Sequence, residues 1–479
     1  MRTIPATTLG GWRLRIGGDH QRLGSAARRS SLHVDPEASR EPRLLATVLA
    51  AMLISTELKF RLRDATAAVS GEIDAQILVE LAVWGTVAAW LCWRLRLGLR
   101  AGPRTAPPLT VGLRILVVVG GLLLIAGLYA TTLLALVRSA QWLVLICWAL
   151  LCERACRFSS DAPLDFWVWT RRLLCGAAVV ATIGTALLGW GAFGAAEVPR
   201  YRWFAMHPIA TGSLLGLSII MLAGSYLTVP DPRLRGRHWS LVRLSLLALF
   251  SALLVGTKSR GAVAGTLVAV LLLLVFTPSK RKRAAGLLIG LLVVAVGLAG
   301  PGVGIVEGFA LRGQTADALT TLNGRTEIFT YALQFVKERP LLGHGYLAGR
   351  YLFLDLIYWS PGESHNVFVE IAVSMGLLGL AAFALLLGRA MYGLAKAIRG
   401  ASFTVGMLGR EAAAILAYML VNGMVTEAFI APGYEAGMLV WVVVLAEMRR
   451  GNVQDGYRAV TTRSSRLNRT GALVAEPDR

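Results

Sequence analysis

The chain has 479 residues, of which 55% are hydrophobic, with a formal net charge of +21 and a mean hydropathy of +0.60. Soluble domains contain about 45–50% apolar residues, so an ordinary soluble globular protein is excluded. Apolar runs of about 18–20 residues recur, each enough to cross a hydrocarbon core of roughly 30 Å. Because these runs are continuous rather than alternating, they exclude a transmembrane barrel. We therefore expect an all-α, polytopic bundle of transmembrane helices.

About twelve spans are predicted within one membrane domain, residues 44–448. In chain order their expected ranges are 44–58, 73–93, 113–130, 132–151, 173–193, 208–227, 244–256, 261–277, 284–300, 366–388, 411–428 and 434–448. Residues 1–43 and 449–479 are expected to be flexible basic tails, because they have no apolar core of their own. Residues 301–364 form the one long segment between spans. The periodicity of 323–338 predicts a helix within it, which Pro340 ends.

The net charge is explained by an uneven distribution of basic residues. With the N-terminus inside, 36 of the 49 lysines and arginines fall in the two tails and the inner loops. The positive-inside rule accounts for this bias. Both termini are therefore expected in the cytoplasm, and residues 301–364 on the outer face. Nucleic-acid binding is not needed to explain the charge.

Thirteen basic residues do not follow the bias, and several of them flank outward ends of predicted spans. A charge at the membrane edge costs free energy, so its default interpretation is functional. Arg260 would lie at the N-terminal end of the eighth span, where helix amides and a guanidinium form an anion site. Gly261 would allow a ligand close to the backbone. The alternative is a tight polar turn with a snorkelling arginine. Four other cations are expected to be solvated loop charges: Arg312, Lys337, Arg339 and Arg350.

The most specific segment of the sequence is 323–379. It begins NGRTEIFTYALQFVKERPLLGHGY and, after a variable run, ends ESHNVFVEIAVSMGLLG. A Gly-Arg, an aromatic residue, a Pro-Leu-x-Gly-x-Gly and a His-Asn at the start of an apolar helix follow one another. This order resembles the core domain of the O-antigen ligase and polymerase family. The resemblance implies sugar transfer from a lipid carrier outside the cytoplasmic membrane.

The resemblance also implies that the sugar donor is linked to its lipid carrier by a diphosphate, and that arginines bind this diphosphate. Gly324-Arg325 matches the Gly-Arg of the family, and a guanidinium fork suits a diphosphate. The family carries a similar Ser-Arg-Gly where this chain has Ser259, Arg260 and Gly261. The family also often carries an arginine several residues ahead of an Asn-Pro-Asn or His-Pro-Asn motif. Here Arg200, with Arg202 as the reserve, precedes His207 and Pro208, but Ile209 replaces the final asparagine. An interfacial anchor is the alternative for these two arginines.

His365 is the predicted catalytic residue. A histidine at the boundary between water and membrane can take a proton from a sugar hydroxyl. Asn366 could hydrogen-bond a sugar or the backbone, and Glu363 could orient the imidazole. Glu370 fits the family pattern after the His-Asn, although a structural hydrogen bond is the expected role. A helix cap is the alternative for His365, and His344, in a glycine turn, is the weaker catalytic candidate.

These observations predict a metal-independent membrane glycosyltransferase without a cofactor. The donor would be a glycan on undecaprenyl diphosphate, and the acceptor a sugar hydroxyl on a lipid A core or on another repeat unit. The enzyme would be an O-antigen ligase or a polysaccharide polymerase. It would lie in the bacterial inner membrane, with its active face outside the cytoplasm and direct displacement inverting the anomeric carbon. A flippase or exporter of lipid-linked oligosaccharides is the alternative. The sequence has no phosphate-binding loop of an ATPase, no outer Asp-x-Asp and no zinc-type spacing.

Overall fold

The computed structural model describes residues 40–58, 74–100, 108–130, 132–157, 162–188, 192–193, 199–229, 236–277, 279–284, 286, 309, 325–353, 364–400 and 403–448. Within them the chain forms a bundle of helices with one two-stranded antiparallel hairpin. Nearly all of both predicted tails and of the predicted span 284–300 lies outside the described residues, as does part of the predicted outer loop.

The helices and strands follow in chain order. They are α1 (Arg40–Glu57), α2 (Ala75–Arg100), α3 (Val111–Leu128), α4 (Leu133–Arg157), α5 (Ala162–Leu187), β1 (Ala192–Phe193), β2 (Arg200–Tyr201), α6 (Pro208–Leu227), α7 (Arg237–Gly256), α8 (Arg260–Phe276), α9 (Arg325–Glu338), α10 (Gly349–Leu352), α11 (Val367–Gly400), α12 (Phe403–Gly423), a 3₁₀ helix (Ala428–Ile430) and α13 (Tyr434–Glu447).

Eight helices in the described ranges are long and apolar enough to cross a membrane: α2 to α7, α11 and α12. The apolar helix α8 has only 17 residues, and α13 has 14. The all-α fold is therefore confirmed, with eight candidate membrane-spanning helices in the described ranges. The expected number of about twelve spans stays a prediction, because the described helices supply eight candidates.

Two helices extend through charged residues at which the predicted spans began. The prediction started spans at 173 and 411, but α5 begins at Ala162 and α12 at Phe403. Arg171 and Glu411 are both buried and pair across these helices, with 2.9 Å between Nη2 and Oε2. The second terminal nitrogen of Arg171 donates to the carbonyl of Val229 at 2.9 Å. Because the charges are paired inside the bundle, neither of them ends a helix. The prediction also carried the fifth span to 193, where the structure has β1.

A similar pair lengthens α11. The predicted span ended at 388, but the helix continues to Gly400. Arg389 lies 2.7 Å through its Nε from Glu447 of α13, whose side chain is almost fully buried. An arginine that would mark the end of a span is thereby held within the packed bundle.

Two glycines let α8 approach α12 closely. A Cβ added to Gly261 would collide with Val425 and come within 2.9 Å of Asn422 Oδ1. One added to Gly265 would lie 2.9 Å from both a ring carbon and the carbonyl oxygen of Tyr418. Glycines four residues apart form such a contact between membrane helices. This contact fixes the position of α8, and with it the position of Arg260.

α11 is broken at Gly376, which adopts φ 64° and ψ −166°. The prediction treated this helix as a continuous span. Segment 340–345, the Pro-Leu-Leu-Gly-His-Gly of the sequence, lies against the break, and its Gly343 approaches the backbone of 373–375 so closely that a Cβ would collide. Four backbone hydrogen bonds join segment and break: His344 N to Val373 O (2.9 Å), Gly345 N to Ser374 O (3.0 Å), Leu377 N to Pro340 O (2.7 Å) and Leu378 N to Leu341 O (3.4 Å). The segment therefore satisfies backbone groups that the break would leave without partners.

Candidate functional site

Several helices begin at the same end of the bundle, which we call the loop end and define by residues 199–208, 256–261, 364–367 and 423–434. Gly212, in the second turn of α6, packs against the turn before α8, since a Cβ there would lie 2.8 Å from the Cβ of Ser259. Asn366, which precedes α11, donates through Nδ2 to the carbonyl of Met424 at 3.3 Å. Met424 neighbours Val425, which packs on Gly261 of α8. The positive ends of the α6, α8 and α11 dipoles are thus brought together.

Arg200 reaches the loop end from the β hairpin. Its Nε donates to the carbonyl oxygen of Thr257 at 2.9 Å. Its Nη2 is buried and has no hydrogen-bond partner among the described residues. Burial lowers the pKa of Arg200, and the positive charge of Arg260 lowers it further. The two guanidinium groups are therefore close enough to repel each other.

Arg260 is the first residue of α8, and its guanidinium is half-buried. Within the described ranges, its buried Nε and Nη2 atoms have no hydrogen-bond partner, and no carboxylate forms a salt bridge with Arg260 or Arg200. Ser259, the N-cap residue, makes no side-chain capping bond. Two uncompensated cations beside the amides of a helix N-terminus are the arrangement that would attract an anion.

The loop that carries Arg202 is fixed by the residues that follow it. The Trp203 backbone nitrogen donates to Thr211 at 3.1 Å, and that of Phe204 to Thr185 at 3.1 Å. Arg202 itself is half-buried, whereas His207 is exposed. The Nδ1 atom of His207 accepts from the Ile209 amide at 3.2 Å, so this side chain caps α6.

His365 occupies a strained position immediately before α11. Its φ is 53°, in the left-handed region, and the residue is half-buried. Asn366 caps the helix, because its Oδ1 accepts from the amides of Phe368 at 2.9 Å and Val369 at 3.2 Å. Since Asn366 also bonds the Met424 carbonyl, His365 lies at the same end of the bundle as Arg260.

Left-handed backbone is concentrated at this end of the molecule. Among the described residues, four non-glycine residues have a positive φ: Phe204 (45°), Lys258 (52°), Leu347 (57°) and His365 (53°). Phe204 follows Arg202 by two positions, and Lys258 precedes Arg260 by two. Such residues cost of order 1–3 kcal/mol each and cluster at functional sites. The strain therefore marks the loops that carry the candidate residues.

Glu370 holds part of the preceding loop against α11. It is fully buried, and its Oε1 accepts from the Gly349 amide at 3.1 Å and from the Ser374 hydroxyl at 2.9 Å. Next to this contact, Arg350 forms an ion pair with Glu427, although Arg350 was expected to be a solvated loop charge. These contacts tie α10 to the start of α11 and to the residues that follow α12.

His344 lies within the segment that crosses the helix break. One ring nitrogen is 2.9 Å from the Phe335 carbonyl, and the ring packs edge-on against the Phe335 side chain. The hydroxyl of Tyr351 donates to the His344 carbonyl at 3.0 Å, so the described contacts of His344 are with α9, α10 and α11. Gly324 and Glu363 lie outside the described residues. For Arg325 the structure gives only the backbone position, at the start of α9.

A family comparison supports the resemblance noted in the sequence. Residues 245–384 match the model of the O-antigen ligase family. The chain carries an O-antigen ligase domain. The matched range includes Arg260, the Pro-Leu-Leu-Gly-His-Gly segment, His365 and Glu370. No curated protein matches the chain.

The O-antigen ligase domain does not contain the whole candidate site. Arg200, Arg202 and His207 precede the matched range, whereas Asn422 and Val425, which position α8, follow it. Sequence reasoning missed Asn422, because an amide inside a predicted span carries no motif. The buried Asn422 donates to Ser213 Oγ at 2.9 Å and to Glu435 Oε1 at 2.8 Å. In the described part of the chain, no cluster of three His, Cys, Asp or Glu side chains could hold a metal ion.

Proposed function

We propose that the protein is a membrane glycosyltransferase that moves a glycan from undecaprenyl diphosphate to a sugar hydroxyl. The O-antigen ligase domain supports a membrane glycan ligase or polymerase. The observation that carries the finer proposal is the pair Arg200 and Arg260. Both present buried guanidinium nitrogens without partners among the described residues, next to the N-terminus of α8. A diphosphate is a dianionic ligand whose oxygens could satisfy these donors.

In the proposed reaction, the acceptor oxygen forms a bond to the anomeric carbon as the bond from that carbon to the diphosphate oxygen breaks. The electron pair leaves with the diphosphate, where Arg200 and Arg260 stabilise the developing charge. His365 receives the proton of the acceptor hydroxyl. A single displacement of this kind inverts the anomeric centre. Arg325 and Arg202 are further candidates for contact with the diphosphate.

The acceptor is a sugar hydroxyl on a lipid A core in a ligase, or on another repeat unit in a polymerase. The proposal places the reaction at the outer face of the bacterial inner membrane, with the loop end outward and both termini in the cytoplasm. No metal ion or organic cofactor takes part, because the arginines supply the positive charge that the leaving group requires.

Transport of a lipid-linked glycan without chemistry is the competing function. A flippase needs a polar route through the bundle for a charged headgroup. Two described arginines inside the bundle, Arg171 and Arg389, are instead neutralised by Glu411 and Glu447. The uncompensated charge of Arg200 and Arg260 lies at one end of the bundle, the end that also carries the strained His365. This distribution favours catalysis at a membrane face over transport through the bundle.

The test is a transfer assay with the purified full chain in lipid vesicles. It supplies a defined undecaprenyl-diphosphate glycan and an acceptor glycan, and it measures the glycosylated product and the released undecaprenyl diphosphate. We expect Arg260→Lys to lose most of the turnover, whereas Arg339→Lys, which changes an exposed arginine just after α9, keeps it. Movement of intact donor across the vesicle without release of diphosphate would instead support the flippase.

A further inference from the structure

The turn Pro340–Leu342, which we call the leucine turn, presents apolar side chains beside the break in α11. Leu341 is 62% exposed and Leu342 50% exposed. The turn is fixed rather than loose, because Leu377 and Leu378 donate their amides to its carbonyls. The hydroxyl of Tyr129 also donates to the Leu342 carbonyl. A rigid turn that exposes two adjacent leucines needs an apolar partner.

The neighbours of the leucine turn belong to helices that are candidates to cross the membrane. Leu377 and Leu378, which follow the break in α11, are 49% and 47% exposed. At the α3–α4 hairpin, which Tyr129 joins to the turn, Leu128 is 66% and Leu133 63% exposed. All four leucines lie in helices long and apolar enough to span a bilayer. The leucine turn is therefore continuous with surfaces that face acyl chains.

The side chains next to the leucine turn are of the types found at a membrane interface. Arg339 immediately precedes the turn, and Glu338 and Lys337 come before it; all three are exposed. The charge of Arg339 acts on the Tyr129 hydroxyl. Basic side chains and tyrosines are the residues that anchor a protein at the level of the lipid headgroups. The charged residues thus lie where headgroups would be, and the leucines where acyl chains would be.

We propose that the leucine turn inserts into the bilayer and packs against acyl chains of the leaflet at the loop end. The segment was expected within the loop 301–364 on the outer face, and this placement makes part of that loop a membrane-embedded element. Segment 340–345 also closes the break in α11. The lipid contact therefore fixes how deep in the membrane the first part of α11 lies, the part that begins beside His365. The proposal holds whatever reaction the site performs.

The test places the photo-crosslinking residue p-benzoylphenylalanine at Leu341 or Leu342 in the full chain, reconstituted in phosphatidylglycerol–phosphatidylethanolamine nanodiscs. Leu378, on α11, is the positive control, and Gln334, on the exposed face of α9, is the negative control. We expect phospholipid adducts at 341, 342 and 378 and none at 334. Adducts at 378 alone, or equally at 334, would overturn the proposal, as would a protein adduct at 341 and 342 in native membranes.

A second measurement keeps the test independent of how well the crosslinking variants fold. Leu342→Gln is compared with Leu333→Gln, which changes a leucine of α9 that is 56% exposed. If Leu342 lies among acyl chains, its replacement by an amide lowers the unfolding temperature in nanodiscs more than the α9 change does. Equal unfolding temperatures for the two variants would contradict insertion.

Discussion

The Nε atom of Arg200 donates to the carbonyl oxygen of Thr257 at 2.9 Å, which links the β hairpin to the turn before Arg260. Two cations far apart in the sequence are thereby placed side by side, although their charges repel each other. Such an arrangement costs free energy in the absence of an anion. A ligand that carries two negative charges would offset that cost and is the counterpart this geometry fits best.

We expect Arg200 and Arg260 to act as a unit. Loss of one charge-assisted contact to the leaving group costs about 2–4 kcal/mol, or about 30- to 1000-fold in kcat/KM. The double variant Arg200→Ala/Arg260→Ala should lose less than the sum of the single changes, because Arg200 also holds the turn that precedes Arg260. Steady-state kinetics of the three variants measure this coupling.

The exposed Arg339 provides the control for those variants, and Arg339→Ala should leave kcat/KM near that of the wild type. Additive effects in the double variant would mean that the two arginines bind independently. Full activity of a normally expressed Arg260→Ala protein would reduce Arg260 to a membrane anchor.

His365→Ala is expected to abolish transfer while donor binding survives. General-base assistance contributes about 10²–10⁴-fold in rate, and in the proposed site the arginines, not His365, would hold the diphosphate. His365→Gly is the matched variant, because glycine adopts the φ of 53° without strain. It should therefore be at least as stable as His365→Ala and equally inactive.

Binding of the lipid-linked donor and turnover are measured separately for both histidine variants. Near-normal turnover in either variant would remove His365 from the chemistry. Loss of binding together with turnover would instead make His365 part of the diphosphate site or of the fold.

Gly376→Ala should strongly destabilise the protein. Alanine disfavours φ 64° with ψ −166°, and its Cβ would collide with the Leu341 backbone. We expect a loss of more than about 2 kcal/mol, seen as a lower unfolding temperature in detergent. Gly388→Ala is the control on the same helix, since Gly388 is exposed and an added Cβ would meet nothing within 4 Å.

That control should be neutral or stabilising by up to about 1 kcal/mol. If both glycine changes have the same effect, the break in α11 is not maintained in the membrane, and segment 340–345 does not replace a helical turn.

The charge bias predicts which side of the membrane each loop faces. In a variant without the five native cysteines, Ala318→Cys should react with a membrane-impermeant thiol reagent in intact spheroplasts, and Arg281→Cys should not. Permeabilised cells, in which both positions become accessible, provide the control. The reverse pattern would invert the topology and place the candidate site in the cytoplasm.

Hydropathy predicted the helical bundle, and the motifs of 323–379 predicted the family, because both signals are local in the sequence. The boundaries at Arg171, Arg389 and Glu411 were wrong for a physical reason. Each charge pairs with a residue of another helix, and no local pattern reveals such a partner. The break at Gly376 was missed because the segment that satisfies it lies elsewhere in the chain.

In the candidate site, too, residues in short motifs could be predicted from the sequence, whereas contacts between distant segments could not. Ser-Arg-Gly and His-Asn identified Arg260 and His365 from short motifs. The contact of Arg200 with Thr257 and the packing of Gly261 on Asn422 join segments far apart in the chain. The roles of these residues in binding and catalysis stay predictions until the variants are measured.

The break at Gly376, which segment 340–345 closes, constrains how the protein is inserted into the membrane during synthesis. The first half of α11 emerges from the ribosome after segment 340–345, yet its backbone groups at the break are satisfied by that segment. Segment 340–345 must therefore pair with the break while α11 enters the lipid, and neither event can be completed without the other. An insertion that lengthened the chain between residues 345 and 364 would delay the pairing of segment 340–345 with α11. The yield of folded protein would then depend more on the time allowed for membrane insertion than on the stability of the finished fold.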